Sequence, residues 1–352
     1  MVDKIFAMSS FLQFRAVFGK VRFSDKIGYP NIKDSSSISE DKTNIKSSRE
    51  LHDYLKQYVS AITSDGKTAL ALSGGIDSAI LAKLMPKGSV AYTFKCIVPG
   101  VQVVDESIRA KDICRENNLE HRIVEVYWED YCSTDHHCLI RPLMQNKNAP
   151  IHSIEVQIYK AACQAKRDGF ERLLFAEGAD AKFGGLDSLL SKDFTIGEFI
   201  DRYSFVMPYR VLKQFHMVTE PFQDFVNNGF IEVHNFLQQQ FEWEYKNSYF
   251  NACETANIEF ASPYCYLEHH PLNITRIRSG DSKYLVREVY NTLYPNTPAN
   301  PKIPMPRPMD EWFENWGGPK RPEFWENCHV NMTGDQKYYI WILERFLEDM
   351  GI

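Results

Sequence analysis

Residues 68–84 read Thr68-Ala69-Leu70-Ala71-Leu72-Ser73-Gly74-Gly75-Ile76-Asp77-Ser78-Ala79-Ile80-Leu81-Ala82-Lys83-Leu84. A short apolar run meets a small polar turn, and a second apolar run follows. The first run, Thr68–Leu72, is expected as a strand, and Ser78–Leu84 as a helix begun by the glycine-rich turn. Such a turn is a mechanically sensible anion site. Gly74 and Gly75 let a phosphate approach without a Cβ in the way, and their backbone freedom allows several N–H groups to turn inward. The helix that follows points its positive end at the same spot. Ser73 and Ser78 add hydroxyl donors. Asp77 would repel a bare phosphate, so its natural role is to hold a Mg²⁺ ion that neutralises a polyphosphate. The lysine of the GxxxxGK[ST] loop is missing, which takes support from kinase and GTPase readings. The plain alternative is a strand-to-helix turn capped by Ser73.

Outward from the loop, strand-like and helix-like stretches alternate. Upstream, a helix is expected from Ser48, where Leu51, Tyr54, Leu55, Tyr58 and Val59 recur at three- and four-residue spacing. Downstream, strands are expected at Val90–Phe94, His121–Val126 and Arg172–Ala176. Helices are expected at Asp105–Asn117 and Ile154–Ala165. Strands separated by helices call for a parallel sheet sandwiched by helices, an α/β fold. From about residue 194 the pattern turns mostly helical, with no further clear βαβ unit. Eight prolines between residues 294 and 322 keep that stretch extended or looped. Residues 34–48 are polar, with few bulky side chains, and read as a linker. The expected division is an N-terminal extension and linker over 1–48 and one domain over 49–352. Phe11, Phe14, Phe18 and Phe23 in the extension are spaced to pack on something.

Composition narrows the class. With 352 residues, 44% hydrophobic and 24% charged, the chain can bury a sizeable core. A net charge of -6 and no basic block disfavour a nucleic-acid backbone as partner. The N-terminus lacks a signal-peptide pattern, and no apolar run is long enough for a membrane span. Eight scattered cysteines read as reduced thiols, so a cytoplasmic location without membrane attachment is expected. Cys132, His136, His137 and Cys138 offer zinc-type ligands, but their spacing fits no standard structural site, and a loop is the default. The tandem His269-His270 before Pro271 is expected as a turn.

Ser73–Ser78 resembles the SGG(I/L/V)DS signature of the N-type ATP pyrophosphatases. Ile76-Asp77-Ser78-Ala79 alone is NAD-synthetase-like. A second segment, Ala176-Glu177-Gly178-Ala179-Asp180-Ala181-Lys182-Phe183-Gly184-Gly185, is similar to the GEG(A/S)DE(L/V)FGG segment of the asparagine synthetase and β-lactam synthetase family, at the same place after the fourth strand. Ser262-Pro263-Tyr264, Lys283–Glu288 and Pro301–Met305 resemble further family stretches more loosely. The resemblance covers about residues 49–305 and implies an adenine nucleotide alpha-hydrolase-like fold.

It also implies roles. Asp77 and Asp180 would be Mg²⁺ ligands on the pyrophosphate. Glu177 would act as general base on the incoming amine, and Lys302 would stabilise the charge that develops. Ser73, Gly74, Gly75, Asp77, Ser78 and Gly178 would surround the phosphates, while Leu72, Thr93 and Phe94 would cradle adenosine. Lys283 and Arg287 are phosphate binders or exposed helix residues. The implied reaction is amide formation: ATP adenylates a small-molecule carboxylate, and ammonia or an amine displaces AMP. An NAD-synthetase-like ligase and a non-catalytic ATP-binding subunit are the alternatives.

Three departures from the family pattern matter. Val2 stands where a glutaminase domain would begin with its cysteine, and only 72 residues precede the loop. The nitrogen is therefore expected from free ammonia, a separate glutaminase partner or an amine on the substrate. The usual Asp-Glu is Asp180-Ala181, and the arginine before Lys302 is absent, both of which fit an altered substrate pocket. The aromatic C-terminal stretch (Trp312 to Trp341) is expected to pack the helical layer, with a substrate wall or a homodimer interface as alternatives.

Overall fold

The computed structural model describes residues 1–31, 42–132, 138–299 and 307–352, with backbone alone for 240–245. Its centre is a five-stranded, all-parallel sheet. The strands are β1 (Thr68–Ala71), β2 (Val90–Cys96), β3 (Glu120–Val126), β4 (Arg172–Leu174) and β5 (Glu259–Ala261). Their order across the sheet is β3-β2-β1-β4-β5. Leu70 pairs with Ala91 on one side and with Leu174 on the other. The chain thus steps outward from β1 to β3, then returns to lay β4 on the opposite side of β1. A crevice opens at that reversal, at the carboxyl ends of β1 and β4, where ligands of open α/β sheets bind.

Alternation along the strands feeds two cores. Ala69, Tyr92 and Leu173 belong to one buried cluster, and Leu70, Ala91 and Leu174 to the other. The first is closed by α1 (Lys4–Phe14), by α5 (Glu155–Arg167) and α7 (Glu242–Thr255), and by α9 (Gly334–Asp349). The second is closed by α2 (Ser48–Ile62), α3 (Ile76–Leu84), α4 (Ser107–Asn117) and α8 (Tyr284–Leu293). Helix α2 begins where the spacing placed it. Ser47 caps it by accepting from the Glu50 N–H, and Leu51, Leu55 and Val59 form its buried stripe.

Two expectations change. The region after residue 194 holds one more crossover, since α7 leads into β5 and β5 pairs in parallel with β4. Three residues carry too little periodicity to announce a strand. Helix α3 starts at Ile76, two residues earlier than expected, so Asp77 and Ser78 lie in its first turn. The aromatics near the N-terminus do pack: Phe11, Phe14 and Phe23 are buried. Among the described residues, no helix is long and apolar enough to cross a membrane.

Candidate active site

The loop after β1 is held by its own side chains. The Ser78 hydroxyl lies 3.0 Å from the Ser73 carbonyl and 3.2 Å from the Gly75 carbonyl, and Ser73 Oγ stands 3.0 Å from Ser78 Oγ. These contacts close the turn and leave Gly75 as N-cap of α3 in extended backbone. Neither Gly74 nor Gly75 has a positive φ. The need for glycine is therefore one of space: a Cβ on Gly74 would sit 2.7 Å from Cβ of Arg109 on α4. Next door, the Thr93 hydroxyl donates to the Leu72 carbonyl at 2.7 Å and meets His121 Nε2 at 2.9 Å. That fixes the residue after β1 to the middle of β2.

Across the crevice, the segment after β4 turns at Gly178. Its φ of 93° is a left-handed conformation open to glycine. The turn starts α6 (Ala179–Phe183), with Asp180 in the first turn. The Glu177 carbonyl accepts from the Ser262 hydroxyl at 2.7 Å, anchoring the segment to the turn after β5. From the same turn, the buried Tyr264 hydroxyl donates to the Asp77 carbonyl at 3.3 Å. Ser262 and Tyr264 of this one turn thus tie both segments together.

Ser73, Asp77, Ser78, Thr93, Phe94, Glu177 and Asp180 all line one cavity of about 160 Å³, together with Leu72, Glu106, Phe175 and Tyr249. Gly178 sits behind it, against the backbone of Cys265. Lys302 lies outside the described residues, as do residues 34–41 of the expected linker, His136 and His137.

Lys283 and Arg287 part company. Arg287 is exposed, whereas Lys283 is 6% exposed and reaches the crevice from the N-cap of α8. Its ammonium pairs with Asp77 and, at 2.9 Å, with Asp180. Burial works against the charged form, but the two carboxylates outweigh it and hold the lysine above its ordinary pKa. Gly185 makes the approach possible, because a Cβ there would lie 2.0 Å from Asp180 Oδ1 and 2.5 Å from Lys283 Cδ.

Glu106 is a site residue that the sequence reading passed over as a mere helix start. It is 7% exposed, and burial pushes its carboxyl up to about 7, against the opposing pull of the Gly74 N–H and the Arg109 guanidinium. An acidic residue just before a helix at a strand's carboxyl end was the available signal.

The donor set suits Mg²⁺. Two carboxylates from different segments already converge on one cation, and no third metal-ligating side chain joins them among the described residues. Mg²⁺ is commonly held by one or two carboxylates plus substrate phosphates. His269 serves the fold, with Nδ1–H donating to the Ile45 carbonyl at 2.7 Å and Nε2 accepting from the Tyr284 hydroxyl at 2.6 Å. A larger cavity of about 520 Å³, lined in part by Phe230, His234, His270 and Arg278, contains none of the expected site residues.

The family model for asparagine synthase matches residues 50–252, well over half of the chain, and spans both the Ser73–Ser78 loop and the Ala176–Gly185 segment. The chain belongs to the asparagine synthase family. Members of this family are ATP-using ligases, and both segments carry their motifs here at the sheet reversal. No curated protein sequence matches the chain. Among solved structures, an NMN synthetase from Francisella tularensis is 11% identical, over 74% of this chain and 100% of that one. Its TM-score of 0.28 makes the likeness too distant to bear on function.

Proposed function

We propose that the chain uses ATP to adenylate a small-molecule carboxylate and then transfers the acyl group to ammonia or an amine. The observation that supports this is the convergence of Asp77 and Asp180 on one cation, at the sheet reversal, beside the Ser73–Ser78 turn. Leu72, Thr93 and Phe94 would flank adenosine, with the loop N–H groups and Ser73 and Ser78 around the phosphates. Asp77 and Asp180 would hold Mg²⁺, which when bound neutralises the pyrophosphate.

In the first step a carboxylate oxygen attacks the α-phosphorus, and the bond to the pyrophosphate oxygen breaks. In the second the amine nitrogen attacks the acyl carbon, loses a proton to Glu177 and expels AMP. Lys302 would stabilise the negative charge that grows in both steps. Proximity and preorganised charge carry most of the rate in this scheme. The nitrogen comes as free ammonia, as an amine on the second substrate, or from a separate glutaminase.

The test is exchange of labelled pyrophosphate into ATP against a panel of carboxylates. One acid class should stimulate exchange, and Asp180→Asn should reduce it by about 100-fold, with Lys302→Ala also impaired. Parent-like exchange in both variants would remove the site assignment.

A further inference from the structure

The position between Asp77 and Asp180 already holds a charge of its own. Lys283 Nζ is within ion-pairing distance of both carboxylates, and its side chain is 7% exposed. The lysine cannot easily drift away. Its backbone is left-handed, with φ of 56°, at the start of α8, and its stem lies in the space that Gly185 leaves without a Cβ. An ammonium is a compact point charge with three donors, and here it meets two carboxylates from the first turns of two different helices.

We propose that Lys283 is the resident counter-ion of the divalent-cation position. In the nucleotide-free chain its ammonium stands where Asp77 and Asp180 would hold Mg²⁺, and it yields only when ATP phosphates offer it other oxygens. This rests on the ATP reading of the site. A divalent cation arriving alone would face a positive charge within a few ångströms. A nucleotide arriving with it supplies anionic oxygens to both cations. The carboxylates are then released to the metal, and the ammonium turns to the phosphates. Cation and nucleotide therefore bind as one unit, each tightening the other by the same factor. Free divalent metal does not load the site, and the acidic pair is never left facing itself.

The test measures Mn²⁺ binding by the electron paramagnetic resonance of free Mn²⁺, with and without the α,β-methylene analogue of ATP. The parent chain should bind Mn²⁺ weakly alone and about tenfold or more tighter with the analogue. Lys283→Met should bind Mn²⁺ without nucleotide at least about tenfold more tightly than the parent, and Mn²⁺ alone should raise the Tm of that variant but not of the parent. Equal Mn²⁺ affinity of the parent with and without the analogue would overturn the exchange, and this arm needs no variant. A Lys283→Met chain that is folded but no tighter for Mn²⁺ would overturn it as well. Analogue binding is followed separately by calorimetry. If the analogue binds while Mn²⁺ affinity stays flat, the exchange fails and the ATP reading stands. If the analogue does not bind at all, the ATP reading fails and takes the exchange with it.

Discussion

Glu106 is a carboxyl held in a nearly dry place, beside a loop whose N–H groups suit an anion. It accepts the Gly74 N–H, one of the donors a phosphate would want, and burial lifts its pKa from 4.5 to about 7. The direction of the pH effect follows from the shift. In the unfolded chain the group titrates near its ordinary value, so between the two pKa values the folded chain holds a proton that the unfolded chain has lost. The stability this group contributes is full below about pH 4.5 and is lost as pH rises through about 7. The size is on the order of 3 kcal/mol. Urea unfolding of the parent and Glu106→Gln at pH 5 and pH 8 checks it. The parent should lose more stability than the variant over that interval, and parallel profiles would count against a buried, titrating Glu106. The same variant should still hold the Gly74 N–H through its amide oxygen, so ATP affinity should change little.

At the scale of elements, the site is two loops pinned across a sheet reversal, with glycines where backbone or side chains come close. Gly74 sets the distance between the phosphate loop and α4. Replacing it with alanine would bring the new Cβ to 2.7 Å from Arg109 Cβ, too close for either atom. Overpacking of this kind costs about 1–3 kcal/mol, and the strain would fall on the loop rather than on the long helix. Gly74→Ala is therefore expected to lose about that much stability in urea unfolding and to weaken ATP binding by about tenfold. Unaltered affinity in calorimetry would show that the loop is not the phosphate holder.

The legibility of these elements differs for physical reasons. Ser73–Ser78 and Glu177–Asp180 could be read in advance, because their chemistry is local and their turns need small residues at fixed offsets. Lys283 could not be told from Arg287 without the fold. Its burial depends on its own left-handed backbone, on Gly185, and on two helix starts about 100 and 200 residues away in sequence. Strand β5 was missed because a three-residue strand takes its identity from its neighbour β4 rather than from a pattern of its own.

At the scale of the whole molecule, the N-terminal segment bears on how the chain divides. The sequence suggested an extension joined by a polar linker, and that division remains a proposal. In the fold, α1 is nevertheless wedged between the two cores. Phe11 belongs to one cluster and packs on Tyr339 of α9, with ring centroids 5.7 Å apart. Phe14, three residues on, belongs to the other cluster and packs on Phe18 and Phe222 at 4.9 Å and 5.3 Å. Asp3 caps the helix, and Gln13 reaches across to bond both the N–H and the carbonyl of Val218. A segment so placed should behave as core. Removing a fully buried phenylalanine costs about 3–5 kcal/mol, a large share of the stability of an ordinary domain. Phe11→Ala and Phe14→Ala should each lower unfolding stability by about that amount, although they touch different cores. Because neither aromatic lines the crevice, ATP affinity of whatever remains folded should match the parent. A loss below about 1 kcal/mol in both would mean that α1 rests on the molecule without helping to hold it together, and the N-terminal segment would then be an appendage in fact as well as in sequence.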